Sequence, residues 1–118
     1  MAKLALMAVL TAFGSTVSAK ELIASWYQYG HHTANGERYN PDGLTVAHRT
    51  YPFRTRLLLQ KGSKQVWVRV NDRGPFKKGR DIDLSRGTAR ALGMWGVKPI
   101  ELIQVVLPTV STKVNARL

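Results

Sequence analysis

The sequence contains no cysteine, which excludes disulfides, thiolate metal ligands, a cysteine nucleophile and lipid attachment through an N-terminal cysteine. Acids are also scarce: 7 Asp and Glu stand against 18 Lys and Arg, a formal net charge of +11 with His neutral. A surface that basic calls for an anionic partner, and so few carboxylates make the placement of each one informative. No apolar run approaches the roughly 20 residues that a membrane-spanning helix needs. The longest, Leu4–Phe13, is broken by Thr11, follows the cationic start Met1-Ala2-Lys3 and precedes the small-x-small triplet Val17-Ser18-Ala19. That tripartite pattern reads as a secretory leader cut after Ala19, which predicts a soluble periplasmic protein without a membrane anchor. The histidines are His31, His32 and His48. Adjacent histidines lack metal-site spacing, so neither a metal nor a cofactor is expected.

Setting residues 1–19 aside, and Lys3 with them, leaves seventeen cations against seven acids, a net charge of +10. What remains has room for one small domain, residues 20–107, and a basic tail over 108–118. Charge alone would point to nucleic acid, but an exported protein meets the cell envelope instead, so wall polymer is the expected partner and nucleic acid is not. Nothing in the sequence points to an oligomer, and a monomer is expected.

Turn and strand signals alternate along the domain. Glu21–Tyr27 ends in β-favouring aromatics, and residues 28–42 form a long polar loop closed by Pro41-Asp42-Gly43. Leu44–Ala47 makes a short strand ending at His48. Thr55–Gln60 and Gln65–Val70 flank Gly62-Ser63 and should pair antiparallel. Alternation in the second arm sets Val66, Val68 and Val70 toward the core, with Trp67 and Arg69 outward. Asp81–Leu84 is a further strand with Ile82 and Leu84 inward. Ser85 as N-cap and Gly93 at C′ then frame a short helix over Arg86–Leu92. Ile100–Leu107 is the last strand. Many short strands with one helix describe a small, mainly β barrel.

Three residues are candidates for chemistry, each where a strand meets a loop. Asp72 stands at the end of Gln65–Val70 on the stiff Arg73-Gly74-Pro75 turn, Glu37 closes Thr33-Ala34-Asn35-Gly36-Glu37, and His48 follows Leu44–Ala47. Each also has an ordinary reading, as a turn aspartate, a solvated loop carboxylate and a hydrogen-bonded structural histidine.

Taken in order, Ala24-Ser25-Trp26-Tyr27, Thr33–Glu37, Leu44–His48, Val68–Phe76 and Gly79–Ser85 resemble the signature of the rare lipoprotein A (RlpA) family, over about Ala24 to Val106. The resemblance implies a six-stranded double-psi β-barrel with one short helix. It also implies lytic transglycosylase activity: cleavage of the bond from N-acetylmuramic acid to N-acetylglucosamine in peptidoglycan without water, leaving 1,6-anhydro ends, with a preference for strands free of stem peptides. Glu37, His48 and Asp72 match the family's proposed active-site residues. Asp83, Arg73 and Asn71 would support them, and Tyr27, Tyr39 and Asn35 would bind the glycan, while Trp26 is expected to pack inward. A single carboxyl can protonate the leaving oxygen and then accept a hydroxyl proton, and this acid/base role falls to Asp72. With Arg73 on the opposite face, Glu37 is expected to raise the Asp72 pKa by like-charge repulsion. The chain departs from the family pattern in lacking a lipid-bearing Cys, in Arg54 where Gly is common, and in a short Gln60–Lys64 hairpin. Larger members add a C-terminal glycan-binding SPOR domain, which these 118 residues do not include. The competing function is a non-catalytic, expansin-like barrel that binds the wall, since a fold does not dictate chemistry.

Overall fold

The computed structural model describes residues 17–27, 30 and 32–109. Its elements are β1 (Val17–Tyr27), β2 (Thr45–Ala47), β3 (Arg56–Lys61), β4 (Lys64–Asp72), β5 (Ile82–Ser85), α1 (Arg86–Leu92) and β6 (Lys98–Val106). The strands close into a barrel in the order β1-β5-β2-β4-β3-β6. Two parallel pairs, β1 with β5 and β2 with β4, are set among antiparallel neighbours. This is the double-psi β-barrel that the resemblance implied. Most of the expected leader and tail, together with His31, lies outside the described residues. Val17–Ala19, read above as the end of the leader, belongs to β1, which pairs with β6 from Val17 opposite Gln104 onward.

Period-two alternation fills the interior. Val66, Val68 and Val70 from β4 point inward with Ile82 and Leu84 from β5, Leu57 and Leu59 from β3, and Ile100 and Leu102 from β6. Burying each such side chain contributes about 1.5–3 kcal/mol. Trp67 faces solvent beneath the Arg56 guanidinium, 5.6 Å from its ring. The β3–β4 hairpin turns through Gly62-Ser63, with Gly62 at φ 61° and Lys61 opposite Lys64.

The helix obeys its caps. Ser85 Oγ accepts the Thr88 N–H at 3.1 Å, and Gly93 at φ 64° ends the helix in the left-handed conformation that glycine tolerates best. Ala89 and Leu92 cover one end of the barrel together with Met94. β6 starts two residues before the expected Ile100 and includes Pro99, which tolerates the position because it sits near the strand's first residue. No helix among the described residues is long and apolar enough to cross a membrane.

Arg54, which stands where the resembled family has Gly, has φ 75°, in the left-handed region, and its N–H donates to Val70 O at 2.8 Å. A side-chain-bearing residue there costs roughly 1–2 kcal/mol. Arg54→Gly should therefore raise the unfolding free energy by about 1 kcal/mol in urea titration, after allowing for the entropy glycine adds to the unfolded chain. A lower midpoint would show that the Arg54 side chain holds the turn.

Candidate functional site

Strand order explains how remote segments meet. Ser25 of β1 is in register with Asp83 of β5, Asp83 with Ala47 of β2, and Ala47 with Asp72 of β4. The three-residue β2 thus carries one row of residues across four strands. Ala24, Ile82 and Leu84 point into the core, so Ser25 and Asp83 face outward, where Ser25 Oγ donates to Asp83 Oδ1.

Asp72 ends β4 half-buried. Its Oδ1 accepts the N–H groups of Ala34 at 2.8 Å and Arg73 at 2.9 Å, and its Oδ2 accepts the Tyr27 hydroxyl at 3.2 Å. Its backbone carbonyl accepts the His48 N–H at 3.1 Å, which brings the residue after β2 alongside. Burial and the adjacent Asp72 carboxylate push the Tyr27 phenol pKa well up, so Tyr27 serves as a neutral donor.

The Thr33–Glu37 turn carries the second carboxylate to the same place. Thr33 N–H donates to Glu37 O at 2.8 Å, and Asn35 N–H donates to Asn71 O at 3.3 Å, docking the turn on the end of β4. Arg69 clasps the Glu37 carboxylate with Nη1 at 2.5 Å and Nη2 at 3.1 Å, the forked geometry in which Arg binds most strongly. Asn71 Nδ2 and Asn35 Nδ2 add donors at 3.1 and 2.8 Å. These hydrogen bonds, those of Arg69 and then Asn71 foremost, lower the Glu37 pKa from 4.5 to about 2.

The Glu37 carboxylate, expected to stand free beside Asp72, is clasped by Arg69. Because the folded pKa is depressed, the stability tied to the pair is present above pH 4.5 and is lost as pH falls toward 2. Acid melts of wild type and Arg69→Met should converge as pH falls through that window, wild type losing more of its melting temperature. Superimposable profiles would mean that Glu37 is not held this way.

Arg69 is the residue that sequence reasoning missed. It faces outward as alternation predicts, and Arg69 and Asn71, two apart on β4, reach the same side. That spacing was the available signal.

The other expectations divide. His48 Nδ1 accepts the N–H groups of Thr50 at 3.2 Å and Tyr51 at 3.1 Å, and the ring stacks on Tyr51 at 4.2 Å. Burial first, then Arg49 and Arg73, lower its pKa, so it is a neutral imidazole with the proton on Nε2. Arg73 braces the 48–53 loop, donating to Tyr51 O at 2.8 Å and lying 3.9 Å over the Phe53 ring.

Tyr39, expected to bind the glycan, is 7% exposed, stacks on Tyr27 at 4.8 Å and donates its hydroxyl to Tyr27 O. The Asn35 side chain, half-exposed, bonds Glu37 and Thr33 Oγ1 within the turn. Trp26 packs against the core, edge-on to Trp95 at 5.7 Å.

Similarity to known proteins agrees with this geometry. A protein of Synechocystis sp. named as a probable endolytic peptidoglycan transglycosylase RlpA is 49% identical over 96 residues, which cover 75% of this chain and 30% of that protein. The endolytic peptidoglycan transglycosylase RlpA of Campylobacter jejuni is 46% identical over 100 residues, covering 79% of this chain and 35% of the relative. The chain thus spans about a third of the length of these relatives. A solved structure, the Streptomyces papain inhibitor, is similar with a TM-score of 0.63 over 75% of this chain and 94% of that one, and at 20% identity the likeness is one of fold. The family model described as lytic transglycolase matches residues 19–106, a span that takes in the barrel, the Thr33–Glu37 turn and the Asp72 row, and the chain belongs to that family.

Proposed function

We propose that this barrel is a peptidoglycan lytic transglycosylase domain in which Asp72 is the acid and base. The observation that carries the proposal is the division of labour between two carboxylates on one surface. Glu37, with its pKa lowered to about 2 by Arg69, is an anion at neutral pH and cannot donate a proton. We assign the proton transfer to Asp72, which two backbone N–H groups and the Tyr27 hydroxyl hold at the strand end, while Asp83 on the same row is engaged by Ser25.

In the proposed reaction Asp72 gives its proton to the glycosidic oxygen as the bond to the muramic anomeric carbon breaks. The 6-hydroxyl of the same sugar then closes onto that carbon, and its proton returns to Asp72. No water is consumed and a 1,6-anhydro end forms. Glu37 acts through position, since its contacts to Arg69 and Asn71 dock the turn that delivers Ala34 N–H to Asp72. His48 presents Nε2–H to a sugar oxygen.

Asp83, bound to Ser25, keeps the row of residues fixed. Export to the periplasm, action as a monomer and a preference for strands without stem peptides belong to the same proposal.

The test is digestion of purified sacculi, with and without prior removal of stem peptides, read by mass spectrometry. Anhydro ends are expected, in greater yield from the stripped material. Reducing ends in their place would indicate a hydrolase, and retained binding with no product would indicate an expansin-like wall-binding barrel.

A further inference from the structure

Phe76 is 82% exposed, the most exposed of the large hydrophobic residues among those described. It lies on the segment joining β4 to β5, which runs on through Lys77, Lys78, Gly79 and Arg80. The segment is held in shape. Arg49 Nη1 donates to Pro75 O at 2.8 Å and to Arg80 O at 2.7 Å, pinning both ends, and Arg80 N–H closes a turn on Lys77 O at 3.3 Å. The acid in this stretch is already occupied: Asp81 accepts the Ile23 N–H at 2.8 Å and lies 3.7 Å from Arg49. Among the described residues, Lys77, Lys78 and Arg80 take part in no ion pair. These residues line a cleft of about 340 Å³.

The cleft adjoins the carboxylate row. Gly74 is buried between them: a Cβ built on it would lie 3.5 Å from the Phe76 ring and 3.8 Å from Asp83 Oδ2. An exposed aromatic face on a rigid segment, ringed by cations without partners and beside a catalytic row, contributes little to folding and much to binding.

We propose that this segment is a glycan subsite, with Phe76 as the face on which a sugar ring stacks and Lys77, Lys78 and Arg80 engaging a free carboxylate on the glycan, the lactyl group of N-acetylmuramic acid that carries no peptide. The inference rests on the wall-glycan reading above and names the part of the substrate that the loop recognises. A carboxylate joined to a stem peptide as an amide has no charge to offer these cations, so the subsite discriminates between stripped and peptide-bearing strands. An anionic bilayer is the poorer occupant, because Phe76 is the single apolar side chain on the segment beyond Pro75 and stands beside the carboxylates.

The test measures binding in the Asp72→Asn chain, so that no ligand is turned over, against two probes of equal length: peptide-free glycan of alternating N-acetylglucosamine and N-acetylmuramic acid, and chitooligosaccharide, which lacks the lactyl carboxylate. The first should bind about ten-fold more tightly, a preference worth about 1.4 kcal/mol. Lys77→Gln with Lys78→Gln and Arg80→Gln should erase the preference while chitooligosaccharide binding stays the same. Phe76→Ala should weaken both probes about ten-fold. Each variant should keep its melting temperature, since the side chains changed are exposed or partly so.

Equal binding of the two probes by the parent chain, or unchanged affinity in Phe76→Ala, overturns the subsite. So does Phe76-dependent binding to vesicles of phosphatidylglycerol and phosphatidylcholine with glycan binding unaffected. Because no product is read, the result stands apart from the lyase assay: a wild type that forms no anhydro ends, with the probe preferences intact, sinks the lyase reading and leaves the subsite.

Discussion

On the proposed reaction, Asp72→Asn is expected to lower the release of anhydro ends from sacculi by about 10²- to 10⁴-fold, the range that general acid–base catalysis supplies. Asn matches Asp in shape. Its carbonyl oxygen can still accept the N–H groups of Ala34 and Arg73 that Asp72 Oδ1 accepts. Its amide nitrogen replaces the oxygen facing Tyr27, whose hydroxyl can accept as readily as donate. The turn, the row and the barrel therefore persist, and the loss is one of proton transfer alone. Unchanged thermal unfolding and sacculus binding accompany the expected result. Residual activity within ten-fold of wild type would move the acid to another group.

Gly87→Ala unfolds the domain more easily, by about 3 kcal/mol, at the upper end of the usual cost of overpacking. Gly87 is the second residue of α1, and helix propensity alone predicts the opposite sign, a gain of about 1 kcal/mol. Packing decides. A Cβ there would sit 2.5 Å from Asp42 O, 2.7 Å from Asp42 C and 3.0 Å from Gly43 O, all backbone atoms of a segment that the Gly87 N–H itself holds through Pro41 O at 2.7 Å. That segment leads directly into β2, so its displacement also disturbs the strand that joins Asp83 to Asp72. Urea titration measures the effect, and a variant as stable as wild type would show that the 41–43 segment yields without cost.

Much of the scaffold is legible in the residues. The Ser85 and Gly93 caps place α1 to the residue, and alternation places the β4 valines and the two inward residues of β5. Local rules carried that far because each is settled within a few positions. What they could not supply was pairing across the chain. The burial of Tyr39 depends on a loop folding back onto Tyr27, and the clasp on Glu37 depends on Arg69, 32 residues away. The start of β1 was hidden for another reason: Val17–Ala19 carry the small-residue pattern of a leader, and only the pairing with β6 shows them in strand conformation. Asp72 was legible because its surroundings were local, a strand stopped by Gly74-Pro75.

The three-residue span of β2 has a temporal consequence. Ser25 meets Asp83 from 58 positions away, and Ala34 meets Asp72 from 38, and the two are joined into one row only when β2 lies between β5 and β4. Contacts so distant along the chain form late, after the entropy of closing long loops has been overcome. An incompletely folded chain therefore holds the carboxylates apart, so that the row on which the proposed chemistry depends is completed only late in assembly.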